Sequence, residues 1–138
     1  MKNFLAVICF MYVTMGMGQS KRSGVIEVEI AGVESNEGQM VIGLYSSDDQ
    51  WLKKIYKGTY SAINDGKANA TFKDIPEGEY AISVFHDEDN NGKLKTFMGI
   101  PRETVGCSNN APARFGPPKW QDAKFYITDK VVKQHIQL

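Results

Sequence analysis

Along residues 25–33 apolar and acidic positions alternate, with Ile26, Val28 and Ile30 on one side and Glu27 and Glu29 on the other. Side chains two apart share one face of an extended chain, so this period predicts a half-buried strand. Residues 40–45 are apolar on both faces, and Glu34-Ser35-Asn36-Glu37-Gly38 supplies turn formers between the two runs, which together read as a hairpin. Asn64-Asp65-Gly66 separates residues 60–63 from 67–72; Asp-Gly favours the tight hairpin turn and predicts a second hairpin there. Pro76, Gly78 and Tyr80 mark a corner that leads into the alternating run 80–86, and residues 123–128 and 131–137 are the last strands. Ser47-Asp48-Asp49 predicts the cap of a short helical turn carrying Trp51, Leu52 and Ile55. Short strands, frequent turns and no long helical period imply an all-β sandwich of about seven strands.

The pattern lapses between residues 95 and 121. Gly99, Gly106 and Gly116 mix there with Pro101, Pro112, Pro117 and Pro118. Phe97, Met98, Ile100, Val105, Phe115 and Trp120 nevertheless make the stretch too apolar for a floppy linker. Long irregular segments inside a compact domain are uncommon and often functional. The expectation is one long ordered loop packed over one end of the sandwich.

Just before it stands Asp87-Glu88-Asp89-Asn90-Asn91-Gly92-Lys93-Leu94. Calcium loops place oxygen side chains at positions one, three and five, a backbone carbonyl at seven and a glycine at six for the sharp turn. Asp87, Asp89, Asn91, the Lys93 carbonyl and Gly92 occupy those places. The glutamate usual at position twelve is missing, since Met98 stands there, and the run before Asp87 reads as a strand rather than a helix. Lys93 and Lys95 lower the local negative charge, so the expected site is a weak, structural calcium site. Asp, Asn and Gly are also the commonest turn formers, and a solvated connection without an ion is the plainer alternative.

Lys2, an apolar run over residues 4–13 and Gly16-Met17-Gly18 have the order of a secretory signal with a small-residue cleavage site. The run is shorter than the roughly 20 apolar residues that span a bilayer. The reading is therefore a signal peptide over residues 1–18 and a single domain over 19–138, periplasmic or secreted, with no transmembrane segment. Cys9 leaves with the signal, so Cys107 remains the only thiol and no internal disulfide can form. Loss of Lys2 leaves 15 basic against 16 acidic residues, a balance that gives no reason to expect nucleic acid as a partner.

Phe85-His86-Asp87, Asn90-Asn91-Gly92-Lys93-Leu94, Gly99-Ile100-Pro101, Ser108-Asn109-Asn110-Ala111 and Phe115-Gly116-Pro117-Pro118 resemble a family of exported bacterial proteins catalogued as domain of unknown function 2141. The likeness extends to Asp122-Ala123 and Phe125 and, more loosely, back to about residue 24. It implies an immunoglobulin-like or transthyretin-like sandwich related to carboxypeptidase-regulatory-like modules. It implies no activity, none being established for the family. Cys107 departs from the family pattern, where an apolar residue is usual, which weakens any essential role for the thiol.

Three further groups of residues carry chemistry. His86 beside Asp87 is the centre on which a metal-assisted hydrolase would be built, imidazole and carboxylate being a common ligand set. One histidine is short of such a set, and a hydrogen bond from His86 to loop backbone is the simpler role. Cys107 or Ser108 with His86 can be written as nucleophile and base, without any supporting signature. Asn109, Asn110, Arg114, Phe115 and Trp120 put amides, a cation and aromatic faces in one loop, which suits a carbohydrate, a peptide or an envelope protein. Against that, Phe115 and Trp120 can cap the core, and Asn109 and Asn110 can satisfy loop backbone. The reading is a non-enzymatic exported module with a structural calcium loop and a ligand-presenting surface; a structural subunit of a surface assembly is the third alternative.

Overall fold

The computed structural model describes Gly18 and residues 20–138, so the expected signal segment, Gly18 apart, lies outside the described residues. Ten strands run in the order β1 (Ser23–Ala31), β2 (Gln39–Tyr45), β3 (Lys57–Ser61), β4 (Ala68–Pro76), β5 (Gly78–Asp87), β6 (Thr96–Phe97), β7 (Ile100–Pro101), β8 (Val105–Cys107), β9 (Phe125–Ile127) and β10 (Val131–Gln137). Two 3₁₀ turns, Asp48–Gln50 and Ser108–Asn110, and one helical turn, α1 (Trp120–Ala123), complete the elements among the described residues. One sheet has the order β10-β1-β4, with β10 parallel to β1; the other has the order β3-β2-β5-β8, with β9 also on β5. β6 and β7 form a small hairpin of their own. Among the described residues no helix is long and apolar enough to cross a membrane.

Alternation builds the core. Ile26, Val28 and Ile30 of β1 face Met40, Ile42 and Leu44 of β2 and Ile82 and Val84 of β5, all within one buried cluster. Fully burying such a side chain contributes about 1.5–3 kcal/mol. Glu27 and Glu29 stay on the outside, where Lys133 and His135 of β10 pair with them at 3.7 and 2.9 Å.

Both expected hairpins are replaced by crossings between the sheets. β1 and β2 lie in different sheets, as do β3 and β4. The reason for the first is in the patterning: β1 has a wet outer face, whereas β2 is apolar on both faces and needs cover on both. At the second, Asp65 and Gly66 do take the left-handed angles of a tight turn, φ +50° and +70°, and Asn64 bridges Lys67. The arms then diverge, β3 to β2 and β4 to β1. The corner between β4 and β5 is tied by the Tyr80 hydroxyl, which donates to the Pro76 carbonyl at 2.8 Å.

The long segment does not sit over one end of the sandwich. It covers the outer face of the β3-β2-β5-β8 sheet, where Tyr45, Trp51, Ala81, Cys107, Trp120 and Ala123 form a second buried cluster. Trp51 packs edge-on against Tyr45 and Trp120, with centroids 5.0 and 6.0 Å away, and its Nε1–H donates to the Pro118 carbonyl at 2.7 Å. Along the edge of β5, β9 pairs residues 78–80 and β8 pairs 83–85. Ser108 fills the gap: its Oγ accepts the Ile82 N–H at 2.9 Å and donates to the Ala123 carbonyl at 2.6 Å. The helical turn expected after Ser47 is a 3₁₀ turn without a side-chain cap; it buries Trp51 but leaves Leu52 and Ile55 exposed.

Candidate metal centre

β5 delivers two side chains to opposite sides of its sheet. Ile82 and Val84 point into the sandwich core, so His86 points the same way and Asp87 points outward. His86 is buried, with Nε2 2.7 Å from the Glu37 carbonyl. A carbonyl only accepts, so Nε2 carries the hydrogen and His86 acts as a tie to the turn before β2.

Asp87, 0% exposed, is the hub of the following loop. Its Oδ2 accepts the Gly92 N–H at 2.8 Å and the Gln39 side-chain amide at 2.9 Å, while Oδ1 accepts the Asn91 N–H at 3.2 Å. Asn90 and Gly92 adopt φ +55° and +73°, which wraps the backbone around this carboxylate. Asn91 Oδ1 accepts the Lys93 N–H at 2.8 Å, so Asn91 and Lys93 form a local turn on the exposed side of the loop. Asp89 reaches Lys95 Nζ at 2.7 Å. The hydrogen bond from that ammonium holds the Asp89 carboxyl below its usual range, and the carboxylate in return raises the Lys95 pKa.

Glu103 enters this site from the strand side of the β6–β7 hairpin. It is only 7% exposed; Oε2 accepts the Lys95 N–H at 3.0 Å, and Oε1 is buried with no hydrogen-bond partner among the described residues. Asp87, Asp89 and Glu103 each bring an oxygen to within 4.8 Å of the others. Two oxygens on one Ca²⁺ lie at most about 5 Å apart, given bonds of roughly 2.3–2.6 Å. The three carboxylates therefore fit around one hard cation. Glu103 was not legible from loop spacing, because it stands beyond position twelve, after the hairpin that lengthens the loop. Its one signal was composition: it is the sole carboxylate between Asp89 and Asp122.

The matching family model is described as "Uncharacterized protein conserved in bacteria (DUF2141)" and covers residues 28–135. The chain belongs to this family. The matched span begins within β1, ends within β10 and contains all three carboxylates, so in this DUF2141 protein the sandwich and the acidic group belong to one domain-sized unit. No curated protein and no solved structure matches the chain.

The remaining sequence candidates fall into different places in this DUF2141 chain. Trp120 is buried in the second cluster and offers no ring to solvent. Asn109 donates to the Asp122 and Lys124 carbonyls at 3.2 and 2.8 Å. Asn110 accepts the Gln137 N–H at 2.9 Å and donates to the His135 carbonyl at 3.2 Å, imitating a strand partner for β10. Both amides are thus fasteners that hold the segment to the sandwich. Arg114 and Phe115 are exposed and share a shallow depression with Asn109. Cys107 lies opposite Ser83 in register, hence on the outward face, whereas His86 faces the core; the sheet separates the two. Burial also pushes the Cys107 thiol up, away from the thiolate a nucleophile needs. His135 is on the other sheet, paired with Glu29.

Proposed function

We propose that this is an exported, non-enzymatic module in which residues 87–103 bind a divalent cation, calcium by preference, and the ion sets the segment behind it as a surface for an envelope or extracellular ligand. The observation that carries the reading is the buried, unpartnered Oε1 of Glu103. A carboxylate oxygen withdrawn from water without a partner is costly, and a cation shared with Asp87 and Asp89 satisfies it. Asn91 Oδ1 and the Lys93 carbonyl are further oxygen donors by loop position. An all-oxygen set suits calcium better than zinc or copper. Lys95 already holds Asp89, so the ion competes with an ammonium; a dissociation constant of roughly 10⁻⁴ to 10⁻³ M, typical of extracellular modules, follows. Export rests on the leader-like order of residues 1–18.

Calorimetric titration with Ca²⁺ tests the reading. One binding event is expected in the parent chain and none in Asp89→Ala. A parent chain that gives no isotherm up to 10 mM Ca²⁺, roughly tenfold above the weak end of the range for such modules, overturns it.

A further inference from the structure

We infer that the cavity between the outer face of the β3-β2-β5-β8 sheet and the proline-rich segment is a binding site for an aromatic group of about bicyclic size carrying one hydrogen-bonding atom. The inference deepens the ligand-presenting half of the proposed function and rests on that half alone, without the ion.

The cavity has a volume of about 260 Å³. Trp51, Leu94, Pro101 and Pro118 wall it, and Ser83 and Cys107 lie at its floor. An apolar cavity of roughly 150 Å³ holds a benzene ring. The larger volume here accommodates two fused rings but is small for a full drug-sized ligand, whose pockets start at roughly 300 Å³. The walls are aromatic, aliphatic and prolyl, which suits a flat apolar body.

The polar groups decide the rest. Asn110 and Gln137 also border the cavity, but the Asn110 amide is committed to the backbone of β10 and Gln137 Nε2 donates to the Leu138 carbonyl at 3.3 Å. Ser83 stands between Ile82 and Val84, both in the sandwich core, so its hydroxyl is turned to the cavity side. One hydroxyl on an otherwise apolar floor orients one hydrogen-bonding atom of the occupant.

The Trp51 wall is fixed before any ligand arrives. Trp51 is held by Pro118 through Nε1 and braced by Tyr45 and Trp120. A preformed site spares the ordering cost that otherwise weakens small-ligand binding. Leu52 lines the cavity and is exposed, as are Ile100 and Phe115, which neighbour lining residues in sequence; Leu52 and Phe115 hold left-handed backbone angles, φ +57° and +55°. Phe115 lies in the turn between Ala113 and Pro117, both of which line the cavity.

Calorimetric titration of the purified chain with 2-naphthol, once in calcium and once in chelator, tests the site. Binding is expected in both, with slower alkylation of Cys107 when the probe is present. Ser83→Ala is expected to weaken 2-naphthol about tenfold, the usual effect of one lost hydrogen bond. Ser83→Phe, checked for a native circular dichroism spectrum, is expected to abolish binding by filling the floor. No heat with 2-naphthol and an unchanged Cys107 alkylation rate overturn the inference. Tighter binding of octanoate than of 2-naphthol overturns the aromatic assignment in favour of an acyl chain. An intact naphthol isotherm beside an absent calcium isotherm sinks only the ion; the reverse result sinks only the cavity.

Discussion

Glu103 is the residue at which stability and ion binding pull in opposite directions. A buried carboxylate with one orphan oxygen destabilises the ion-free protein, since removing a charge from water without full pairing costs several kcal/mol. Glu103→Gln keeps the shape and an acceptor for the Lys95 N–H but removes the charge. Chemical denaturation in chelator is therefore expected to show the variant more stable than the parent by about 1–3 kcal/mol, while calcium no longer stabilises it. A variant that loses stability in chelator argues instead for a purely structural glutamate. Lys95 gives the complementary test. Lys95→Met removes the ammonium that occupies Asp89, and calcium affinity should rise several-fold by titration, with little change in ion-free stability because solvent screens an exposed pair. The pH dependence has a definite sign. The hydrogen bond from Lys95 lowers the folded pKa of Asp89 from 3.8. The Asp89 contribution is therefore present above the unfolded carboxyl range and fades as pH falls through the lowered folded value. In Lys95→Met this part of the acid side of the stability curve should be lost.

Among the elements, single strands were readable and their partners were not. The alternation of Ile26, Val28 and Ile30 located β1, and the two-sided apolar run located β2, because both patterns are local consequences of which faces are dry. Pairing is a non-local property: Asp65-Gly66 makes the turn its residues dictate, yet β3 and β4 leave it for different sheets. The metal loop shows the same division. Asp87 and Asp89 were legible from spacing, whereas Glu103 comes from beyond a hairpin whose two-residue strands carry no periodicity. Gly38 ties these levels together. It sits at φ +74° against the metal loop, where a Cβ would run into the backbone of Asp87 and Glu88. Gly38→Ala is expected to destabilise the fold by roughly 1 kcal/mol or more and also to weaken calcium binding, since the backbone it displaces carries Asp87. Denaturation and titration of the same variant check both; full calcium affinity alongside lost stability separates the loop from the turn.

At the scale of the whole molecule, the acidic group and the second cluster act on the same stretch of chain from its two ends. Residues 94–103 leave the metal loop at Leu94 and return to it at Glu103, and in between they supply Pro101 to the cavity wall. From the far side, Trp51 holds Pro118, and Asn109 and Asn110 hold the Ser108–Asn110 turn to α1 and β10. The far side is closed by protein contacts alone, while the near side is left with an unpaired carboxylate oxygen. An ion that binds only the folded state adds RT ln(1 + [L]/Kd), so 10 mM Ca²⁺ at the expected affinity contributes about 1.4–2.7 kcal/mol. For a domain of this size that corresponds to a Tm increase of roughly 5–10 °C. The gain should be localised: amide hydrogen exchange is expected to slow over residues 88–104 on adding calcium, with the Trp51 and Trp120 contacts unchanged. Uniform slowing across both sheets would mean instead that the loop and the sandwich open together, and the ion would then be a fastener for the entire fold rather than for one wall of the cavity.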